Sequence, residues 1–100
     1  MSDNFSRLPK QTELRVGSVV RSKTGRDRKR IFLVTEIDSS NPVAPAVIAN
    51  GTLRKLEDRK HKNPAHLEPV GALGETETKQ LFECLTNGKI AEICLRYDIS

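Results

Sequence analysis

Ile31-Phe32-Leu33-Val34-Thr35-Glu36-Ile37 is the stretch on which the fold turns. Most of its positions are β-branched or aromatic, the residues that suit a pleated, packed surface. The run is apolar without alternation through Val34, so it reads as a strand covered on both faces. A strand of that kind needs an interior beneath it and a second layer above it, and the C-terminal segment is the available cover.

Working outward, the segment from Leu14 through Val16, Val19 and Val20 to Ser22 reads as a first strand with a bulge at Gly17. Lys23 to Arg30 is a charged loop in which Gly25 makes the turn. Asp38 to Pro42 is turn-forming, and Val43 to Ala49 is a third strand placed at an edge or bulge by Pro45. Asn50-Gly51 predicts a tight type I′ hairpin, with Thr52 to Leu56 as the returning strand. Glu57 to Pro64 is a second charged loop, and Ala65 to Val70 a fifth strand. Beyond Gly71 and Gly74 the period becomes helical. Leu81, Phe82 and Leu85 share one face, then Ile90, Ile93, Cys94 and Tyr97 another, with Asn87-Gly88 separating two short helices.

The expectation is a mainly β fold of three parts: a flexible leader at 1–12, a five-stranded barrel at 13–71, and a helical extension at 72–100 packed on it. One hundred residues leave room for one modest core.

The net charge of +4 hides a sorted distribution. Residues 15–66 hold twelve basic against five acidic side chains, a net of +7, whereas 67–100 hold three against six, a net of −3. Such sorting is a cue for a polyanionic partner. The basic residues fall in two clusters: Arg21, Lys23, Arg26, Arg28, Lys29 and Arg30, then Arg54, Lys55, Arg59, Lys60 and Lys62. They are the candidate RNA-binding residues, acting as phosphate clamps, with His66 a lesser one. Gly25, Asn50 and Gly51 are the turn-shaping residues. Two solvated loops are the plainer reading, but like charges crowded into two turns repel unless a polyanion screens them.

The residues from Val16-Gly17-Ser18-Val19-Val20-Arg21-Ser22-Lys23-Thr24-Gly25-Arg26-Asp27 into Ile31-Phe32-Leu33-Val34 resemble the KOW motif, with Gly25 at its characteristic glycine. With Asn50-Gly51-Thr52-Leu53-Arg54-Lys55-Leu56 and His66-Leu67, the pattern over about 14–70 is similar to bacterial KOW-domain RNA-binding proteins, which are related to KOW-containing large-subunit ribosomal proteins. The resemblance implies an SH3-like barrel that contacts ribosomal or other structured RNA through loops at one end. Lys29 departs from it, standing where many KOW sequences have a second glycine, as does the longer stretch from Ser39 to Pro45.

The expected function is therefore RNA binding, ribosome-associated and non-enzymatic, with no cofactor and no metal. The alternative is a protein-interaction module of the transcription or translation machinery, docking ribosomal or transcription proteins through the barrel or the acidic tail. The few aromatics (Phe5, Phe32, Phe82, Tyr97) point to recognition of folded RNA by backbone and shape, since readers of single strands stack bases on exposed rings. His61, His66, Cys84 and Cys94 lack finger spacing. Glu57-Asp58 with His61 is the nearest approach to an acid–base set and reads as local charge balance. The cysteines, ten apart, are expected as buried thiols in a reducing, cytoplasmic setting. No span or signal segment is visible, and the free protein is expected to be a monomer without membrane attachment.

Overall fold

The structure, a computed structural model, describes residues 14–98 apart from Asp27, Ser39, Pro42 and Val43. The expected leader at 1–12, Phe5 within it and the Val43 start of the third strand lie outside the described residues. Five strands, β1 (Ser18–Ser22), β2 (Ile31–Glu36), β3 (Ala46–Ala49), β4 (Lys60–Lys62) and β5 (Leu67–Ala72), form one antiparallel sheet. Its order is β4-β3-β2-β1-β5. Two helices follow, α1 (Glu75–Glu83) and α2 (Asn87–Asp98).

β2 sits at the centre, and successive side chains of it enter different cores. Phe32 and Val34 pack with Leu14, Val20, Ala46, Ile48 and Leu67 on one face. Ile31 and Leu33 pack with Val19, Ala49, Leu73, Leu81, Ile90, Ile93 and Cys94 on the other. The helices are the second layer that the unbroken apolar run requires, and Ile31, the first residue of β2, lies under them.

The connection between β4 and β5 shows that the sheet curls. Laid flat, the two outermost of five strands would stand about 19 Å apart at a spacing of ~4.8 Å. The chain crosses with Asn63 and a 3-10 turn at Pro64–His66, a path that spans at most about 14 Å. Asn63 Oδ1 accepts from Ala65 N at 2.9 Å and so caps the turn. Lys62 Nζ donates to the Thr24 carbonyl, beyond the end of β1, at 3.0 Å. Lys23 N donates to the His66 carbonyl at 2.9 Å. The result is a small barrel-like sheet with the Phe32 cluster inside it.

The segment after Asn50 departs from expectation. Thr52 to Leu56 is not a strand, and the partner of β3 is β4, within what reads as a charged loop. Gly51 does take positive φ, at 81°, but Asn50 organises a wider loop. Its Oδ1 accepts from Thr52 N at 3.0 Å, Thr52 Oγ1 at 3.3 Å and Arg54 N at 2.8 Å. The backbone N–H groups of Asn50 and Gly51 both donate to the Arg54 carbonyl, at 2.8 and 3.0 Å. A 3-10 turn at Leu56–Asp58 then leads into β4. The start of α2 holds this path: Asn87 Oδ1 accepts from Leu56 N at 2.7 Å, and Asn87 Nδ2 donates to Glu57 Oε1 at 3.0 Å. That hydrogen bond keeps the Glu57 carboxyl below its usual value. Its contribution is complete at neutral pH and fades as pH falls through the lowered value.

Three smaller corrections have local causes. Gly17 (φ 96°) lies in a turn before β1, and the irregularity in the sheet falls between Val19 and Val20 opposite β5. The helices separate at Cys84–Thr86, not at Asn87-Gly88: Thr86 Oγ1 accepts from Lys89 N at 3.2 Å, so α2 already includes both residues. Cys84 is exposed. It stands at the C-cap of α1 with φ −148° and ψ 68°, off the helical path that would have carried it to the Leu81 face.

Two glycines let the helices sit close to the sheet. A Cβ on Gly51 would overlap the Asn87 carbonyl oxygen and the Ala91 backbone nitrogen, and one on Gly71 would overlap the Tyr97 ring. If the helical layer holds the sheet in this way, Ile90→Ala should lower unfolding stability by about 2–5 kcal/mol. Gly51→Ala should lower it by about 1–3 kcal/mol through crowding. Leu53→Ala, at an exposed position, should change it by no more than about 0.5 kcal/mol. Urea unfolding midpoints at constant m-value check all three.

Candidate nucleic-acid interface

The first basic cluster rides on the hairpin that joins β1 to β2. Ser22 N donates to the Arg30 carbonyl at 3.0 Å, and Lys29 N to the Ser22 carbonyl at 2.8 Å, so the two limbs remain paired beyond the strands. Arg28 N donates to the Gly25 carbonyl at 3.2 Å and closes the tip. Gly25 takes φ 75°, which a residue without Cβ accepts freely. Lys29 takes φ 74° and is the one non-glycine with positive φ among the described residues. A left-handed conformation costs an L-residue roughly 1–2 kcal/mol. Lys29 thus holds, with its β-carbon in place, a backbone conformation that glycine accepts more freely.

The root of this hairpin is fastened on its far side. Lys62 Nζ and Ser22 Oγ both donate to the Thr24 carbonyl, at 3.0 and 3.1 Å, beside the Lys23–His66 backbone bond. Lys62 is 9% exposed, so this cation braces the hairpin from beneath. Lys23, Arg26, Arg28, Lys29 and Arg30 are all exposed, and no carboxylate of the described residues forms an ion pair with any of them. Arg21 is half-buried at the hairpin's foot, its Nε enclosed with no hydrogen-bond partner among the described residues.

The second cluster divides. Arg54 pairs with Asp58 at 3.1 Å and Arg59 with Glu36 at 3.0 Å. Lys60 is half-buried on β4, Lys55 is exposed before the 3-10 turn, and His66 is exposed where β4 crosses to β5. Lys62 and His66 are therefore brought to the first hairpin, while Arg54 and Arg59 face carboxylates of their own. Exposed pairs of this kind are worth little, but they place a counter-charge beside each guanidinium. Glu57 and Asp58, the acids nearest His61 in sequence, are themselves engaged, by Asn87 and Arg54. Among the described residues no group of three His, Cys, Asp or Glu could hold a metal ion, and no helix is long and apolar enough to cross a membrane.

Sequence reasoning missed the other side of the hairpin. Arg26, Arg28, Lys29 and Arg30 form one wall of a cleft of about 360 Å³; its remaining lining is Ile31, Asn50, Thr52, Ala91, Cys94, Leu95 and Asp98. The signal was present: Ala91, Leu95 and Asp98 form a stripe at i, i+4 and i+7 beside the Ile90–Cys94 stripe that enters the core. Burial, and secondarily the charge of Asp98, pushes the Cys94 thiol up to about 12, so this part of the wall is neutral.

No family model matches the chain, and no curated protein matches it in sequence.

Two outcomes are expected at this site. At pH 8 a thiol reagent should modify Cys84 promptly and Cys94 only after unfolding, because the thiolate is the reactive form; Cys84→Ser should abolish the prompt phase in a time course of labelling. Lys62→Ala should cost about 1.5–3 kcal/mol of stability, the worth of a hydrogen bond from a charged group, measured by urea unfolding, against no more than about 0.5 kcal/mol for the exposed Lys23→Ala.

Proposed function

We propose that this chain is an RNA-binding protein that grips the phosphate backbone of structured RNA through the β1–β2 hairpin, on a KOW-type, SH3-like barrel, and that it works on the ribosome as a cytoplasmic, non-enzymatic monomer. The observation that carries the reading is the set of five exposed cations on a fastened hairpin, with no carboxylate of the described residues paired to them. Five like charges within eight residues repel one another, and a polyanion turns that repulsion into attraction. Each phosphate they neutralise releases condensed counterions. Arg26, Arg28 and Arg30 can each present two parallel N–H groups to one phosphate. Because the hairpin is held at its root by backbone and Lys62 hydrogen bonds, little ordering entropy is lost when it binds.

The aromatic residues favour backbone over base-by-base recognition. Phe32 is fully buried, and Phe82 and Tyr97 are half-buried against the sheet. None of the described rings is an exposed platform for a row of bases. Ribosomal RNA is the preferred target because the KOW-like residues Val16 to Val34 coincide with the hairpin that carries the cations no described carboxylate pairs.

Binding to an RNA hairpin should weaken as a power of salt concentration. Arg26→Ala/Arg28→Ala/Arg30→Ala should flatten the plot of log Kobs against log[salt] by about 2–3. An unchanged slope in fluorescence anisotropy would remove the hairpin from the interface. Lys29→Gly is expected to split stability from binding: relief of the left-handed strain should raise stability by up to about 1 kcal/mol, while the salt slope falls by about 1.

A further inference from the structure

The hairpin that supplies the phosphate clamp is also one wall of a cleft, and the opposite wall is of a different chemistry. α2 presents Ala91, Cys94 and Leu95 there, with Ile31 below. Leu95 is 64% exposed, an apolar side chain left uncovered one helical step from the core stripe. A wall that offers cations on one side and aliphatic surface on the other suits a ligand that is itself divided into an anionic and a flat apolar part.

Two further groups narrow the choice. Asn50 is 7% exposed, and its Oδ1 is committed to three donors from Thr52 and Arg54. Its Nδ2 makes no hydrogen bond to any described residue, although Asn50 lines the cleft. The Asn50 amide is thus an uncommitted donor on a residue that lines the cleft, and Asp98 supplies an acceptor. A carbonyl beside an amino or imino group satisfies both. An acidic peptide would satisfy the arginines but set its carboxylates against Asp98. The volume of about 360 Å³ is at the lower end of ligand sites, which run ~300–1,000 Å³, and is far too small for a duplex.

We propose that this cleft holds one unpaired nucleotide of the bound RNA, its base against Ala91 and Leu95 and its phosphate on Arg26, Arg28 and Arg30. The inference rests on the hairpin being an RNA clamp and adds a second element to it: the clamp holds the backbone of a helix, and the cleft takes a base that has left the stack. A bulge or helix junction, where a base is already unpaired, costs least to open. Cytosine, with a carbonyl next to the pairing edge and an exocyclic amino group, matches the donor of Asn50 and the acceptor of Asp98.

The test uses the full-length protein and two RNA hairpins that differ only by a single bulged cytosine, replaced in a parallel sample by fluorescent pyrrolocytosine. The bulged RNA should bind roughly ten-fold more tightly, the scale of burying one base, and the analogue's emission should change on binding. Leu95→Gln is neutral and lies at an exposed position, so circular dichroism should be unaltered. It should reduce the preference to no more than about two-fold while the unbulged RNA binds as before, and Leu95→Met should restore the preference. Arg26→Ala/Arg28→Ala/Arg30→Ala should weaken both RNAs. Equal binding of the two RNAs by the wild-type protein, or an undiminished preference in L95Q, overturns the nucleotide pocket and leaves the backbone clamp standing. Failure of the wild-type protein to bind either RNA in a salt-dependent way overturns both.

Discussion

Burial of β2 on both faces is the constraint on which the remaining structure depends. Phe32, Leu33 and Val34 are all removed from water completely, each burial worth roughly 1.5–3 kcal/mol. A single curled sheet can cover only Phe32 and Val34. Ile31 and Leu33 need a second layer, and α1 and α2 provide it through Leu81, Ile90, Ile93 and Cys94. The helices are in this sense part of the sheet's stability, because a strand apolar on both faces has no stable solvent-facing side. The close approach is set by backbone: Gly51 and Gly71 lie where α2 comes nearest, and Asn87 ties its first turn to Leu56 and Glu57.

Against this neutral, doubly packed centre, the β1–β2 hairpin carries stored unfavourable terms. It holds five exposed cations that no described carboxylate offsets, and Lys29 adds a left-handed lysine. Neither feature helps the free protein fold. Lys62, enclosed beneath the loop and bonded to the Thr24 carbonyl, and the Ser22–Arg30 pairing hold the loop in place regardless. Strain and repulsion kept at one surface feature by surrounding structure accord with the preformed binding element proposed above; on that proposal a polyanion would relieve the larger of the two.

The parts of the fold that were legible are those in which one residue type has one structural use. The unbroken run Ile31–Val34 demanded two covering layers, and both exist. The helical stripe of Ile90, Ile93 and Cys94 enters the core. Segment 50–62 was misread because Asn-Gly has more than one use: positive φ at Gly51 was correct, but Asn50 spent its side chain on Thr52 and Arg54, and the partner strand began only at Lys60. That outcome depends on Asn87, thirty-one residues beyond Leu56, and no local rule could reach it. The basic clusters were equally visible as composition. Charge alone could not tell Arg28, which no described carboxylate pairs, from Arg59 facing Glu36, or from Lys62 turned inward, since those differences arise when β4 crosses to β5 and the sheet curls.

The place at which the β1–β2 hairpin enters β2 explains why the cleft exists. β2 begins at Ile31 directly after Arg30, so the last cation of the hairpin and the first residue covered by the helices are neighbours in sequence. α2 must reach Ile31 to cover it, and the hairpin must leave the sheet at that same point. The space between them cannot be filled by Ile31 alone, nor by Ala91, which is small because the Gly51 backbone lies against it. What remains open is bounded by arginines on the hairpin side and by Leu95 on the helix side. A charged loop placed one residue before a doubly buried strand thereby produces, with no further device, a site with an anion-seeking wall and an apolar one.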